Sequence, residues 1–184
     1  MVAGDARAMN GIALFTDVSL DPRRRLGIGG YIQLPASCLS ALPGDIEKSC
    51  LSERLVLKRF EETSSTRLEV QTVLWAIQDV RERLRGQAPG ALRIYTDSQC
   101  VSGLPERRRR LEANGFLSRK TNRPLKNAPL YQEFFTLFDE LGFELVKVAG
   151  HTRAHSRDAI EQIFSFLDKS VRRKLSLWLR EQEG

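Results

Sequence analysis

Two apolar segments of this chain end in the same dipeptide, Thr-Asp. Residues 12–15 (Ile-Ala-Leu-Phe) lead into Thr16-Asp17, and residues 92–95 (Leu-Arg-Ile-Tyr) lead into Thr96-Asp97. If the two segments are neighbouring strands of a parallel sheet, their aspartates emerge side by side, where mutual repulsion is unfavourable unless they share a cation. The repeated ending therefore predicts a site for a divalent metal ion.

A third carboxylate, Glu69, lies near the start of a segment with helical spacing of apolar residues. A helix lying across the sheet would bring Glu69 towards Asp17 and Asp97. Each acid also has a structural interpretation: Asp17 could start a turn, Asp97 could cap a helix beginning at Ser98, and Glu69 forms a capping-box pattern with Thr66. Only the combination of the three favours metal chemistry.

The elements that must position these acids follow from hydrophobic periodicity. In chain order they are strands at about 11–17, 27–34 and 55–62, a helix from Thr66 to about Arg85, a strand at 92–95, a short helix from Ser98, a helix at about 129–141 capped by Gly142, a strand at 143–148, and a long amphipathic helix from near Ser156. The connection 35–52 has no assigned role. The order βββαβαβα predicts a single domain (1–184) of mixed α/β class, with a five-stranded mixed sheet and helices on both faces.

Composition favours a cytoplasmic globular protein, with 41% hydrophobic and 28% charged residues. No apolar run approaches the roughly 18 residues that a membrane span needs, and residues 1–10 lack the apolar core of a secretory signal. The three cysteines are odd in number and lack CxxC spacing, which indicates free thiols in a reducing compartment and argues against zinc. We expect a monomer without membrane contact.

One segment accounts for the whole net charge of +6. Between Glu106 and Asn127 lie eight basic residues and two acidic ones, so a near-neutral body carries one strongly positive projection. Such a distribution is typical of proteins that bind polyanions. The alternative is a solvated run of surface charge.

A series of segments then points to a known family: FTDVS, GIGGYI, TRLEVQTVLWAI, IYTDSQCV, RKTNRPLKNAPLYQEF and VKVAGH. In these segments the chain resembles the type-one ribonuclease H family over nearly its full length. The resemblance implies that Asp17, Glu69 and Asp97 ligate two Mg²⁺ ions, with Mn²⁺ as an alternative ion. It also implies hydrolysis of the RNA strand of RNA/DNA hybrids, leaving a 5′-phosphate and a 3′-hydroxyl.

The resemblance further implies a fourth metal-binding carboxylate in the last helix, where Asp158 and Asp168 are the candidates. Spacing from His151 favours Asp158. On a helical wheel the apolar stripe clusters near about 20°, with Asp168 at about 80° and Asp158 at about 160°, so only Asp168 lies at the edge of the buried face. The run 167–172 also resembles the family's helix ending, and we prefer Asp168; its alternative role is a surface pair with Arg172.

By the same resemblance, His151 helps to move protons and release product, a role that suits an imidazole titrating near pH 7. The RNA strand would be contacted near Glu69 and Asp97, by Ser65, Thr66, Arg67 and Gln99. The basic projection resembles the family's handle and would hold the phosphates of the DNA strand, through Arg119, Lys120, Arg123, Lys126 and Asn127.

Two other functions stay open. A catalytically silent module that binds hybrids or duplex RNA would have lost one of the three central acids, and all three are present. Another nuclease of the same broad fold, such as a transposase, resolvase or proofreading exonuclease core, would not predict a basic handle ending in residues 124–127. A small-molecule α/β enzyme is disfavoured because no glycine-rich phosphate loop follows the first strand.

Overall fold

The protein is described by a computed structural model over residues 11–40, 46–84, 90–148 and 158–183. Its strands are β1 (Ile12–Asp21), β2 (Leu26–Pro35), β3 (Leu55–Phe60), β4 (Leu92–Thr96) and β5 (Glu144–Lys147). They form one sheet in the order β3-β2-β1-β4-β5. The pairs β1–β2 and β2–β3 are antiparallel, whereas β1–β4 and β4–β5 are parallel, so the predicted mixed five-stranded sheet is confirmed.

The helices of the described ranges are α1 (Lys48–Arg54), α2 (Ser65–Arg83), α3 (Gln99–Ser102), α4 (Leu104–Ala113), α5 (Ala128–Leu141) and α6 (Ala159–Glu181). Helix α1 and a 3-10 turn at Ala36–Ser40 lie largely within the segment predicted as a plain connection. Gly142 ends α5 with a left-handed φ of 58°, as predicted, because glycine has no Cβ to oppose that conformation.

Helices cover both faces of the sheet, as the element order predicts. The central strand β1 sends successive side chains to opposite faces, and both Leu14 and Phe15 are fully buried. Leu14 packs in one core with Val73 of α2 and Phe134 of α5. Phe15 packs in the other core with Leu167 of α6. The end of β1 therefore lies between α2 and α6.

Gly30 allows α6 to approach the sheet closely beside the end of β1. It is the partner of Asp17 in the antiparallel ladder between β1 and β2. A Cβ atom at Gly30 would lie 2.6 Å from Val171 Cγ1 and 2.8 Å from Leu57 Cδ2, so a larger residue requires these side chains to move. The middle of α6 is thus brought near Asp17.

The carboxyl-terminal part of α6 is held to the sheet by exposed ion pairs. Arg24 lies 2.5 Å from Glu183, and Arg59 lies 2.5 Å from Glu181 and over the ring of Trp178. These contacts help to fix the direction of α6 across β1 and β2. Neither α6 nor any other helix in the described ranges is long and apolar enough to cross a membrane.

Candidate active site

The register of the two central strands places Asp17 and Asp97 at the same edge of the sheet. Strands β1 and β4 pair in parallel up to Phe15 and Tyr95, so the Thr-Asp dipeptides that follow are in step. Asp17 lies inside β1 and pairs with Gly30 across the ladder, so its interpretation as the start of a turn is wrong. The repeated sequence thus becomes a pair of neighbouring carboxylates.

Asp17 is an almost completely buried carboxylate with one unpartnered oxygen. Its exposed fraction is 8%, and its Oδ1 accepts a hydrogen bond of 2.8 Å from the backbone N–H of Val18. Its Oδ2 is buried without a hydrogen-bond partner among the described residues. Burial and then the charge of Asp97 raise the pKa of Asp17 to about 8, with a smaller contribution from Asp168. Ionised Asp17 therefore needs a compensating cation.

Ser98, and not Asp97, caps the short helix that follows β4. The Ser98 hydroxyl accepts a hydrogen bond of 3.1 Å from the backbone N–H of Val101. The N-cap interpretation of Asp97 is therefore wrong. The backbone N–H of Ser98 donates to Thr96 Oγ1 over 3.1 Å, which fixes the turn that carries Asp97. Asp97 itself is exposed at the mouth of the cleft.

Glu69 lies one turn into α2 and is oriented by two serine hydroxyls. Ser98 Oγ donates to Glu69 Oε2 over 2.7 Å, and Ser65 Oγ donates to Glu69 Oε1 over 3.2 Å. The N-cap of α2 is Ser64, and Thr66 lies inside the helix, so the capping-box interpretation of Glu69 is wrong. Ser98 is not among the predicted site residues, although a serine at the start of a short helix is a recognisable capping signal.

The three acids line one small cleft. The other residues lining it are Thr16, Val18, Thr72, Thr96 and Ser98. Two of the threonine hydroxyls, Thr16 Oγ1 and Thr72 Oγ1, are buried without a hydrogen-bond partner in the described structure. The cleft is therefore lined by oxygen atoms from both central strands and from α2.

The two candidates for a fourth carboxylate occupy different environments. Asp158 is the exposed N-cap of α6 and forms a complete capping box with Glu161, since its side chain accepts from the Glu161 N–H over 2.8 Å. Asp168 is close enough to Asp17 to raise its pKa. Asp168 also pairs with Arg172 over 2.7 Å, the alternative role considered for it, and is 30% exposed. Asp168 is thus electrostatically coupled to Asp17 while forming that helical pair.

The donor set of the cleft fits a hard divalent cation, since carboxylate and hydroxyl oxygens are the ligands that Mg²⁺ and Mn²⁺ accept. The unpartnered Oδ2 of Asp17 is a donor available for such an ion. Among the described residues, no three His, Cys, Asp or Glu side chains lie close enough together to hold one ion between them. The acids are arranged around the cleft and do not converge on a point.

The predicted RNA-contacting residues flank this cleft. Ser65, Thr66 and Arg67 form the first turn of α2 beside Glu69, and Ser65 is already hydrogen-bonded to that acid. Gln99 is the exposed first residue of α3. His151 lies outside the described residues, so its predicted role stays a prediction.

Two arginines at the start of the basic segment face the protein. Arg107 Nε donates to the carbonyl of Gly103 over 3.0 Å. Arg108 donates to both oxygens of Asp139 on α5, over 2.5 and 2.7 Å, and lies over the ring of Phe135. The pKa of Asp139 is held below its usual value by Arg108. These two arginines therefore fix the position of α4.

The remaining cations of the segment are exposed, with no side-chain partner among the described residues. They lie at the end of α4 and in the loop before α5, where Leu117 and Pro124 form a β-bridge: Arg109, Arg110, Arg119, Lys120, Arg123 and Lys126. The predicted contact Asn127 is the half-buried N-cap of α5 and makes no side-chain capping bond. The handle thus presents six free cations to solvent.

Solved structures with the same fold include the foamy viral protease-reverse transcriptase. Its complex with RNA/DNA hybrid matches with a TM-score of 0.60 and 16% identity, over 91% of this chain and 20% of that chain. Its complex with dsDNA matches with a TM-score of 0.53 and 14% identity, over 89% of this chain and 96% of that chain. The native Prototype Foamy Virus protease-reverse transcriptase matches with a TM-score of 0.59 and 16% identity, over 91% of this chain and 21% of that chain. This chain thus spans about a fifth of the length of the first structure.

No curated protein matches the sequence. The sequence profile of the family described as RNase H, however, matches residues 9–160. The matched range contains Asp17, Glu69 and Asp97, whereas Asp168 lies beyond it. With the profile covering most of the chain and the central acids placed at one cleft, the chain belongs to the ribonuclease H family of hydrolases.

Proposed function

We propose that this chain is an endoribonuclease that hydrolyses the RNA strand of RNA/DNA hybrids at the cleft between β1, β4 and α2. The observation that carries the proposal is the buried carboxylate of Asp17, with its unpartnered Oδ2 and its pKa of about 8. A buried acid held next to Asp97 is costly unless a cation compensates it. Such a site suits metal-assisted phosphodiester hydrolysis.

Asp17, Glu69, Asp97 and Asp168 would hold two divalent cations, preferably Mg²⁺. When bound, these ions supply Lewis acidity and an activated water for displacement at phosphorus. The role of Ser98 is to keep Glu69 turned towards the end of β4. Arg172 limits the repulsion at Asp17, since its charge lowers the pKa that the acids raise. The products would be a 5′-phosphate and a 3′-hydroxyl.

Substrate choice would come from surfaces on either side of the cleft. The first turn of α2 and Gln99 would contact 2′-hydroxyls of the RNA strand, which distinguish RNA from DNA. The free cations of the handle would hold the DNA strand through its phosphates, without sequence preference. The fold shared with a reverse transcriptase solved on an RNA/DNA hybrid supports this choice.

We also propose a monomeric, cytoplasmic protein.

The test uses the full chain with Mg²⁺ and three labelled duplexes: RNA/DNA hybrid, duplex RNA and duplex DNA. We expect cleavage of the RNA strand of the hybrid alone, and its loss in Asp97→Asn. The matched control is Asp21→Asn, since Asp21 is the last residue of β1, accepts a hydrogen bond from the Arg23 N–H and does not line the cleft. Binding of hybrid without any cleavage would indicate a silent binding module, and cleavage of duplex DNA would indicate another nuclease of this fold.

Asp168→Asn and Asp158→Asn separate the two candidates for the fourth carboxylate. We expect Asp168→Asn to reduce hybrid cleavage at least about tenfold at low Mg²⁺, since Asp168 is coupled to Asp17. Asp158→Asn should cleave normally, because asparagine is an equally good N-cap. Titration of Mg²⁺ in the cleavage assay measures both effects. Equal losses in the two variants would contradict the assignment of Asp168.

A further inference from the structure

A second concave site lies between α1 and α6. Its volume is about 500 Å³, within the ~300–1,000 Å³ that is usual for ligand-binding pockets. An apolar floor is formed by the buried Leu51 and the half-buried Ile46 and Phe166, and three half-buried polar residues also line the site: Gln162, Ser165 and Ser170. Exposed cationic side chains form the rim: Lys48, Lys169 and Arg173. We refer to this site as the α1–α6 groove.

The rim of the α1–α6 groove has uncompensated positive charge. None of its three cations makes an ion pair or a side-chain hydrogen bond within the described ranges, and no described acid lines the groove. By contrast, the neighbouring Arg172 is neutralised by Asp168. The groove is therefore electrostatically complementary to a negatively charged ligand.

The groove shares no lining residue with the catalytic cleft. At about 100° per residue along α6, Phe166 and Ser170 lie on one flank of the buried stripe and Asp168 lies on the other. The residues that α6 contributes to the groove also lie beyond the part of the chain that matches the family profile. A duplex seated on Asp17 and Asp97 would thus leave the groove accessible.

We propose that the α1–α6 groove docks an acidic amphipathic segment of a partner protein. Large apolar side chains of that segment would occupy the floor over Leu51 and Phe166, as amphipathic segments do in hydrophobic grooves. Its carboxylates would pair with Lys48, Lys169 and Arg173. A nucleic acid matches this surface less well, because its phosphates satisfy the rim but leave the apolar floor without a partner.

The test uses the full chain and a fluorescein-labelled peptide of about 12 residues, built from Glu and Leu with the leucines at helical spacing. Anisotropy should show saturable binding, and the double variant Lys48→Glu with Arg173→Glu should weaken it roughly tenfold or more. Arg180→Glu, an exposed cation of α6 outside the groove, is the matched control and should bind as the wild type does. All variants should retain hybrid cleavage, which shows that they are folded.

Two comparison peptides test the floor and the rim separately. Replacing leucine by serine removes the apolar contacts, and replacing glutamate by lysine reverses the charge, so both peptides should bind at least about tenfold more weakly. Equal binding of the serine peptide, or an equal loss in Arg180→Glu, would overturn the proposal. The proposal would also be overturned if duplex RNA or anionic lipid vesicles displaced the peptide and if their own binding were weakened as much by the double variant.

Discussion

Among the described residues, Asp17 is the one whose pKa the fold changes most. Burial at the end of β1 and the nearby charges of Asp97 and Asp168 raise its pKa from 3.8 to about 8. A divalent cation favours the ionised form, so metal binding below pH 8 should release a proton from this residue. The carboxylate with a buried oxygen available to a metal ion is therefore also the one whose ionisation destabilises the metal-free protein.

Asp17→Asn should remove this cost and make the stability less dependent on pH. Between about pH 4 and pH 8 the folded protein holds a proton on Asp17 that the unfolded chain has lost, so wild-type stability falls as pH rises through this range. In EDTA we expect the variant to be more stable at pH 8.5 by on the order of 5 kcal/mol, with little difference at pH 4. Urea unfolding at the two pH values measures this difference.

The same measurement with Mg²⁺ gives an internal control. Mg²⁺ should raise the free energy of unfolding of the wild type and have little effect on Asp17→Asn, because the variant has lost a charged ligand. If the free energy of unfolding of the two proteins has the same pH dependence in EDTA, the burial of ionised Asp17 does not destabilise the metal-free protein.

Ser98 connects two of the predicted ligands, because it caps α3 after Asp97 and donates to Glu69. Ser98→Ala should lower kcat by roughly tenfold, since Glu69 loses a hydrogen bond of about 1–1.5 kcal/mol, with KM nearly unchanged. Ser98→Thr should retain most activity, because threonine also caps and donates. Steady-state cleavage of the hybrid measures both constants. Ser102→Ala, in the same helix, is the control for a general loss of α3.

At the scale of elements, the position of α6 depends on the absence of a side chain at Gly30. This glycine pairs with Asp17 and lies under Val171, so it connects the packing of α6 with the site. A helix displaced from β2 would carry Asp168 away from Asp17. The close packing of one helix on one strand thus determines whether a fourth carboxylate is near the cleft.

Gly30→Ala should therefore destabilise the protein by about 1–3 kcal/mol and reduce cleavage, because its Cβ would lie 2.6 Å from Val171 Cγ1. Val171→Ala removes the clashing methyl groups. The double variant should be more stable than the sum of the two single effects predicts, which thermal or urea unfolding can show as a double-mutant cycle. Strict additivity would mean that Gly30 and Val171 do not share this contact.

The whole molecule separates its charges between an acidic cleft and a basic handle. Within the handle, Arg108 is engaged with Asp139, whereas Arg119 and Arg123 are exposed and free in the described structure. Only the free cations can release counterions from a nucleic acid. The count of eight basic residues in the segment therefore overstates the number of phosphate contacts that the handle can make, since six of them are free in the described structure.

Arg123→Ala should weaken hybrid binding and reduce the slope of log K against log salt concentration by about 1. Arg108→Ala should leave that slope unchanged, even if the altered position of α4 lowers affinity. Anisotropy with labelled hybrid over a range of salt concentrations, in EDTA to prevent cleavage, measures the slope. Equal slope changes in the two variants would contradict the division of the handle into inward and outward arginines.

Several features of the site were predictable from the chain because they depend on neighbours in sequence. The periodicity of residues 12–15 and 92–95 predicts two buried strands, and the dipeptides after them supply Asp17 and Asp97. The structural interpretations of the acids needed the fold: Asp17 is not in a turn and Asp97 is not a cap, whereas Asp158 is one. Local sequence patterns alone allow a carboxylate to be either a cap or turn residue or a metal ligand.

By itself, the sequence determined the order of the five strands, the mixed sheet and the family, since hydrophobic periodicity and short motifs are local properties of the chain. Helices α1 and α4 were not predicted. Only the tertiary structure decided which groups meet across long separations. It placed Ser98 on Glu69, brought Asp168 near Asp17, turned Arg108 inward and formed the groove between α1 and α6. Such contacts depend on strand register and helix packing, which arise when distant segments share one core.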